Sequence, residues 1–390
     1  MDTRESSLII QNLVTATIAA YGRNSINLGV VPTPVVSYLV KDNYPLGVVI
    51  SASHNPYIYN GIKFFDRNGI KLSESIEQEI ESEFFSYSLQ KREYMCGKVF
   101  EKKELIDNYI NNLKHNFSLS KNYSLIFDLA NGATISTVPQ MFQDWNSKFI
   151  NTTPDGKNIN QNCGSTNVEV LEGLMKNKKY KYGFSFDGDG DRVMVIDETG
   201  FIFNGDYLLA IFSLYLGEKK VVGTVMSNFG LEKFLEENNI EFLRAPVGDR
   251  FVFEMMDKYS INVGGEQSGH IILKKYSNTG DGLITTLMFL KVAQEAPEII
   301  QEVKEKIKIY PQFLLNLDVK PDVKFKILKD IEVNNYIKKI QNDLKGKGRI
   351  LVRASGTEHK LRIMTEGENA DYIYSIAKKV ANFIKEKYEL

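Results

Sequence analysis

Residues 46–56 read LGVVISASHNP. The first seven form a short apolar run rich in β-branched residues, the composition of a buried strand. They pass directly into a polar turn, Ser51-Ala52-Ser53-His54-Asn55-Pro56. Runs of the same kind recur along the chain. SLIFDLANGA, from Ser124, reads as a strand and a glycine-containing turn; residues 184–186 and 193–196 read as two short strands, and 221–226 as another. Longer amphipathic stretches separate them: a Glu-rich helix over 73–85, the helical run LLAIFSLYLG after Tyr207, and a last helix from Asp371 to about Lys387. Strands alternating with helices predict the α/β class with mixed, largely parallel sheets.

A chain of 390 residues is too long for one core. The expectation is three similar α/β domains followed by a smaller C-terminal α+β domain, with boundaries at 1–103, 104–204, 205–315 and 316–390. Residues 304–329 lack glycine and mix apolar with charged side chains, which suits a connector into the last domain. A formal net charge of −1, without a basic stripe, argues against nucleic acid as a partner. Cys96 and Cys163 lie far apart without metal-ligand spacing, which favours a reducing, cytoplasmic setting. The charged start MDTRE is not a signal peptide, and no run approaches the ~18 apolar residues of a spanning helix, so no membrane partner is expected.

Four loops carry the chemistry. The first is the turn after residues 46–52, where Ser53 offers a hydroxyl and His54 and Asn55 offer hydrogen-bonding partners. In open α/β sheets ligands collect at the carboxyl ends of strands. Lys63, in NGIKFF, suits phosphate neutralisation or proton transfer. Without a G-x-S-x-G elbow, Ser53 is not a hydrolase nucleophile.

The second loop, Asp187-Gly188-Asp189-Gly190-Asp191-Arg192, is the strongest signal. Three carboxylates so close repel unless a cation joins them, and hard oxygen donors select Mg²⁺ or Ca²⁺ over zinc. An EF-hand fails because Arg192 stands where that loop needs glycine. Arg192 suits pairing with a phosphate. The third loop, Gly264-Gly265-Glu266-Gln267-Ser268-Gly269-His270, sets Glu266 and Ser268 as acceptors for sugar hydroxyls, with His270 as a proton carrier. The fourth, Arg353-Ala354-Ser355-Gly356-Thr357-Glu358, combines backbone amides, two hydroxyls and Arg353 into a phosphate nest, with Arg362 nearby. Taken one at a time, the first, third and fourth also read as ordinary surface or capping turns. Together they supply a nucleophile, a metal, a polyol reader and a phosphate clamp, which points to phosphoryl transfer.

This set resembles the α-D-phosphohexomutase superfamily, whose four domains each contribute one loop to a central cleft. The resemblance implies that Ser53 is a phosphoserine and that Asp187, Asp189 and Asp191 bind one Mg²⁺ together with Ser53. It implies also that residues 266–270 read the sugar, and that Arg353, Ser355, Gly356 and Thr357 hold the non-reacting phosphate. ISASHNP with NGIKFF, PDGKNINQNCGST at 154–166, VVGTVMSN, VGDR at 247–250 and GGEQSGH are more similar to the phosphoglucosamine mutases than to other branches. Relatives acting on glucose or mannose phosphates usually carry Met at the position of Gln267. Gly248 and Arg250 enter the expected substrate site on the same resemblance.

The implied activity is interconversion of glucosamine 6-phosphate and glucosamine 1-phosphate through a bisphosphorylated sugar. A sugar 1,6-bisphosphate would act as activator, and the product would feed UDP-N-acetylglucosamine and cell-wall synthesis. Action on glucose or mannose phosphates, or sugar-phosphate binding without turnover, are the alternatives. A homodimer is compatible with the sequence. Two departures stand out. Met1-Asp2-Thr3-Arg4 resembles a segment that lies after a glycine-rich loop in relatives, so the first domain is expected to lack a sheet edge and a substrate-facing arginine. His359 replaces a proline and is expected to loosen the phosphate loop.

Overall fold

The computed structural model describes residues 1–86, 96–177, 179–354 and 359–389. The chain packs as two compact units. One comprises Met1–Met226 with Ile240–Lys304, the other Ser227–Asn239 with Glu305–Leu390.

In the first unit, the predicted strand at 46–52 is Leu46–Ile50, which pairs antiparallel with Ile62–Asp66. A second two-stranded ribbon joins Ser25–Asn27 and Val99–Glu101 in parallel. Residues 1 and 2 bond to both neighbourhoods: Val31 N–H donates to Met1 O at 3.1 Å, and Asp2 N–H to Ile50 O at 3.0 Å. The helix expected over 73–85 is Glu74–Ser86.

A five-stranded sheet follows, in the order Asn146–Ile150, Ser124–Asp128, Tyr182–Phe186, Val193–Asp197, Ile202–Phe203. Its first three strands are parallel and the last two antiparallel. Tyr182–Phe186 is central and buried throughout, its aromatic residues on one face alternating with the small Gly183 and Ser185 on the other. The acidic loop is the short connection from this central strand to its antiparallel neighbour.

A four-stranded sheet runs Glu241–Ala245, Lys220–Thr224, Val263–Gly265, Ile271–Leu273. Two largely buried helices rich in apolar residues, Gly205–Leu216 and Gly282–Glu295, run through this unit, each opened by a side-chain cap from Asn204 or Asp281. The glycines of GGEQSGH begin inside a strand rather than after one. Gly264 and Gly265 leave no room for a side chain, a Cβ meeting Met256 Sδ at 2.4 Å and His270 O at 2.5 Å.

The second unit is α+β. Gln312–Asp318, Lys360–Gly367 and Gly348–Ala354 form an antiparallel sheet in that order, with helices Pro321–Lys329, Ile331–Asp343 and Ala370–Tyr388. Residues 304–329 are therefore not a connector. They contain a full strand and a helix of the C-terminal core, with Leu317 and Ile327 buried in it. Leu314 is exposed on the opposite face and breaks the apolar alternation that would have marked the strand. Helix Phe229–Glu237 belongs to this unit too. Its first amide donates to Glu366 at 2.9 Å, and Arg349 binds both Glu366 (2.6 Å) and Ser227 O (2.6 Å). Among the described residues no helix is long and apolar enough to cross a membrane.

Candidate active site

Ser53 sits at the tip of the turn after Leu46–Ile50, in left-handed backbone with φ 52°. It is buried, at 9% exposure, and not the surface hydroxyl that its polar setting suggests. Its Oγ donates to Asp187 Oδ2 at 2.6 Å. The turn is held from several sides: Ser53 N–H donates to Ser51 Oγ (2.8 Å), while Arg4 Nη2 and Asn160 Nδ2 donate to Ser53 O at 3.0 and 2.9 Å.

Asp187, Asp189 and Asp191 are buried, with one carboxylate oxygen of each within 4.8 Å of the others. Gly188 and Gly190 make this path possible. A Cβ on Gly188 would meet Ser53 O at 2.7 Å, and Gly190 has φ 71°. Burial, with Asp191 and Asp189 beside it, pushes the Asp187 carboxyl well above the usual range. Burial and Asp191 also push Asp189 upward, but Lys63 at 2.7 Å and Thr33 Oγ1 at 2.5 Å bring it below its ordinary value. Asp191 is likewise raised by burial, and Lys63 and His270 hold it well below. Asp189 Oδ1 and Asp191 Oδ1 are buried without a hydrogen-bond partner. Two orphaned carboxylate oxygens in a cluster of three are what a divalent cation would satisfy, so the donor set fits a hard metal ion.

Lys63 Nζ lies 2.7 Å from Asp189 and 3.6 Å from Asp191. Burial opposes its charge, but the two carboxylates prevail and raise it above the ordinary lysine value. His270 is 1% exposed, with Nδ1 3.6 Å from Asp191 and Nε2 3.8 Å from Asp249. Gly280 N–H donates to Nε2 at 3.1 Å, which needs a lone pair there and leaves the imidazole proton on Nδ1. Burial disfavours a second proton; Asp191 and Asp249 outweigh it, so the imidazole charges more readily than usual. His54 is half-buried, with Nδ1 unpartnered, and burial and then Arg192 lower its pKa. Asn55 is exposed. Arg192 lies 3.8 Å from Asp191.

The residues expected to read the sugar each have partners of their own. Glu266 accepts from Gly248 N–H at 3.0 Å and from Ser268 Oγ at 3.2 Å. Gln267 turns toward the helix Gly205–Leu216 and donates to Asp206 at 3.1 Å. Arg250 pairs with Glu77 at 3.1 Å. In the second unit Arg353 and Arg362 face each other as register partners on adjacent strands. Burial and then Arg362 lower the pKa of Arg353, a pairing of like charges that an anion would relieve. Ser355, Gly356 and Thr357 lie outside the described residues. His359 O accepts from Val319 N–H at 2.9 Å.

Several site residues escaped the reading from sequence. Thr33 binds Asp189 through both side chain and backbone. Asp249, bonded to Lys71, is opposed by burial yet held at about 2 by that lysine. Arg4 and Asn160 grip the Ser53 turn. The only signal for the last two was their position in segments noted for resemblance, which assigned them no role.

Comparison with known proteins agrees with this geometry. The four domains of the phosphoglucomutase/phosphomannomutase family match in order: alpha/beta/alpha domain I at 1–91, domain II at 107–200, domain III at 204–310 and the C-terminal domain at 291–383. Proteins named phosphoglucosamine mutase from Alkaliphilus metalliredigens and Clostridium acetobutylicum are 40% and 41% identical, each alignment covering 99% of this chain and 89% of the relative. A solved phosphoglucomutase/phosphomannomutase family protein from Burkholderia thailandensis shares the fold with a TM-score of 0.82 at 20% identity, over 99% of this chain and 88% of that one. N-acetylglucosamine-phosphate mutase in a product complex gives 0.66 at 17% identity, over 91% and 92%. With all four domains matched in sequence order and 40% identity over nearly its whole length, the chain belongs to the phosphoglucomutase/phosphomannomutase family.

Proposed function

We propose that this chain is a phosphoglucosamine mutase that interconverts glucosamine 6-phosphate and glucosamine 1-phosphate through a phosphorylated Ser53. The observation that carries the reading is the 2.6 Å bond from Ser53 Oγ to Asp187, inside a buried three-carboxylate cluster. The 40–41% identity to enzymes of that name supplies the substrate class.

In this reading the P–O bond to Ser53 Oγ breaks as a new one forms to a sugar hydroxyl, whose proton leaves to a base. The bisphosphorylated sugar turns over in the site, and its other phosphoryl group passes back to Ser53 Oγ. Lys63 and Arg192 balance the anionic charge of the transferring group. Lys63, kept protonated by Asp189 and Asp191, suits charge stabilisation better than proton abstraction. His270 carries a proton on Nδ1 beside Asp191 and is the candidate proton carrier. Glu266 and Ser268 orient sugar hydroxyls, with Gly248 holding the Glu266 carboxylate. His54, Asn55, Gln267 and Arg250 complete the binding surface, and Arg353, Ser355, Gly356, Thr357 and Arg362 hold the non-reacting phosphate.

Asp187, Asp189, Asp191 and Ser53 Oγ would hold one Mg²⁺, whose charge when bound offsets the negative charge gathering on the transferring group. A sugar 1,6-bisphosphate would prime unphosphorylated Ser53. The setting read from the two cysteines is cytoplasmic.

The test is turnover of glucosamine 6-phosphate by the purified chain with Mg²⁺ and a trace of glucose 1,6-bisphosphate. The expected kcat/KM exceeds that for glucose and mannose phosphates by roughly tenfold or more. Turnover of the neutral sugars with none of the amino sugar would overturn the substrate assignment. Binding without any turnover would overturn the activity.

A further inference from the structure

Asn160 comes from the loop that follows Asn146–Ile150, a different layer of the first unit from the serine turn. Its own backbone is anchored elsewhere. It is left-handed, with φ 58°, and its N–H donates to Ala130 O at 2.9 Å. From this position the side-chain amide reaches across and donates to two carbonyls of the serine turn, Ser53 O at 2.9 Å and Asn55 O at 3.3 Å. Both partners are acceptors, so chemistry decides the amide orientation: the flipped form would set oxygen against oxygen.

Arg4 Nη2 donates to the same two oxygens, at 3.0 and 2.6 Å, and is itself tied to Asp2. The acidic loop closes the third side. A Cβ on Gly188 would lie 2.8 Å from Asn160 Nδ2 and 2.7 Å from Ser53 O. Carbonyl, amide and acidic-loop backbone are therefore packed without slack. The grip opposes a real force, since left-handed backbone is strained for an L-residue and Ser53 holds φ 52°.

We infer that Asn160 is a positioning residue for phosphoryl transfer. With Arg4, its amide clamps the Ser53 and Asn55 carbonyls and holds the strained serine so that Oγ faces the acidic loop. The inference rests on Ser53 being the phosphoryl carrier. Its consequence is specific: loss of the amide misplaces the reacting oxygen while leaving the sugar-reading residues and the three carboxylates in place.

The decisive variant is Asn160→Gly. Glycine accepts φ 58°, so the backbone is preserved and only the amide goes. A misplacement of the reacting atom predicts a fall in kcat of about 10- to 100-fold. KM for glucosamine 6-phosphate should change by less than roughly twofold, and the Tm increase on adding Mg²⁺ should stay as in wild type. Single-turnover transfer from radiolabelled phosphoserine to sugar should slow in parallel with kcat. Asn160→Asp is the second variant. Its carboxylate keeps the shape of the amide but has no N–H to donate to the two carbonyls, so its kcat at neutral pH should fall at least as far as that of the glycine variant.

Wild-type kcat in Asn160→Gly overturns the clamp, as does a loss explained wholly by fewer phosphorylated chains. If the glycine variant does not fold, an aspartate variant with wild-type kcat overturns it. Failure of wild type to transfer from Ser53 would overturn the parent reading, and this one with it.

Discussion

Ser53 Oγ donates to Asp187 Oδ2 at 2.6 Å, joining residues 134 positions apart in sequence. Asp187 is also the carboxylate of the triad that burial and its neighbours push well above the ordinary range. Ser53 is thus bonded to the member of the cluster that least tolerates its charge without a cation.

Ser53→Ala is expected to lower turnover by about 10³-fold or more, because it removes the hydroxyl proposed to carry the phosphoryl group. The lost buried bond should cost about 1 kcal/mol of stability. Coupled kinetics and thermal unfolding measure the two effects separately; near-normal kcat would exclude a covalent relay through this residue.

Asp187→Asn removes a charge the metal-free site resists. In chelator the variant should melt roughly 2–4 °C above wild type, for a gain of about 1 kcal/mol. Added Mg²⁺ should stabilise it less than it stabilises wild type. Scanning calorimetry with and without Mg²⁺ decides the matter, and a metal-free Tm below that of wild type would contradict the charge argument.

Gly205→Ala tests the proposed role of the loop 264–270 in reading the sugar. A Cβ there would lie 1.8 Å from Glu266 O, and Gly205 N–H already donates to Gln267 O at 2.9 Å. Backbone must move, carrying Glu266 and Ser268 with it. The expected loss in kcat/KM is about tenfold or more, and unchanged kinetics would show that these residues do not position substrate.

Asp281 has an unusual pH signature. Burial raises its carboxyl from 3.8 to about 6, although Tyr109 Oη and the amides of Leu283 and Ile284 donate to it. The folded chain therefore binds the proton more tightly than the unfolded chain does between those values. Stability from this group is highest below about pH 4 and falls as pH rises through 6, by roughly 3 kcal/mol. Asp281→Asn keeps a helix-capping side chain, so the variant should gain on wild type between pH 4 and 7 in denaturant titrations. A difference independent of pH would refute the shift.

The acidic loop and the Ser53 turn were legible because each is a local event. DGDGDR announces itself by charge density, and the Ser53 turn by its place after an apolar run. The strand Gln312–Asp318 was not legible, because Leu314 faces outward and Leu317 inward on the same short segment. Helix Phe229–Glu237 lies between two strands of the first unit's sheet in sequence, yet its packing partners include Glu366, far along the chain. No local pattern encodes such an allegiance.

Ser53 marks the same division. Sequence alone determined its residue type, its turn, and the acidic loop as a separate feature, since composition and spacing are properties of neighbours along the chain. That it is buried, left-handed and gripped by Arg4 and Asn160 was decided by tertiary structure, which brought together carbonyls and donors 49 and 107 residues apart. Hydrogen bonds to backbone carbonyls leave no trace in residue identity at the accepting end, so only the folded chain reveals which amide holds which turn.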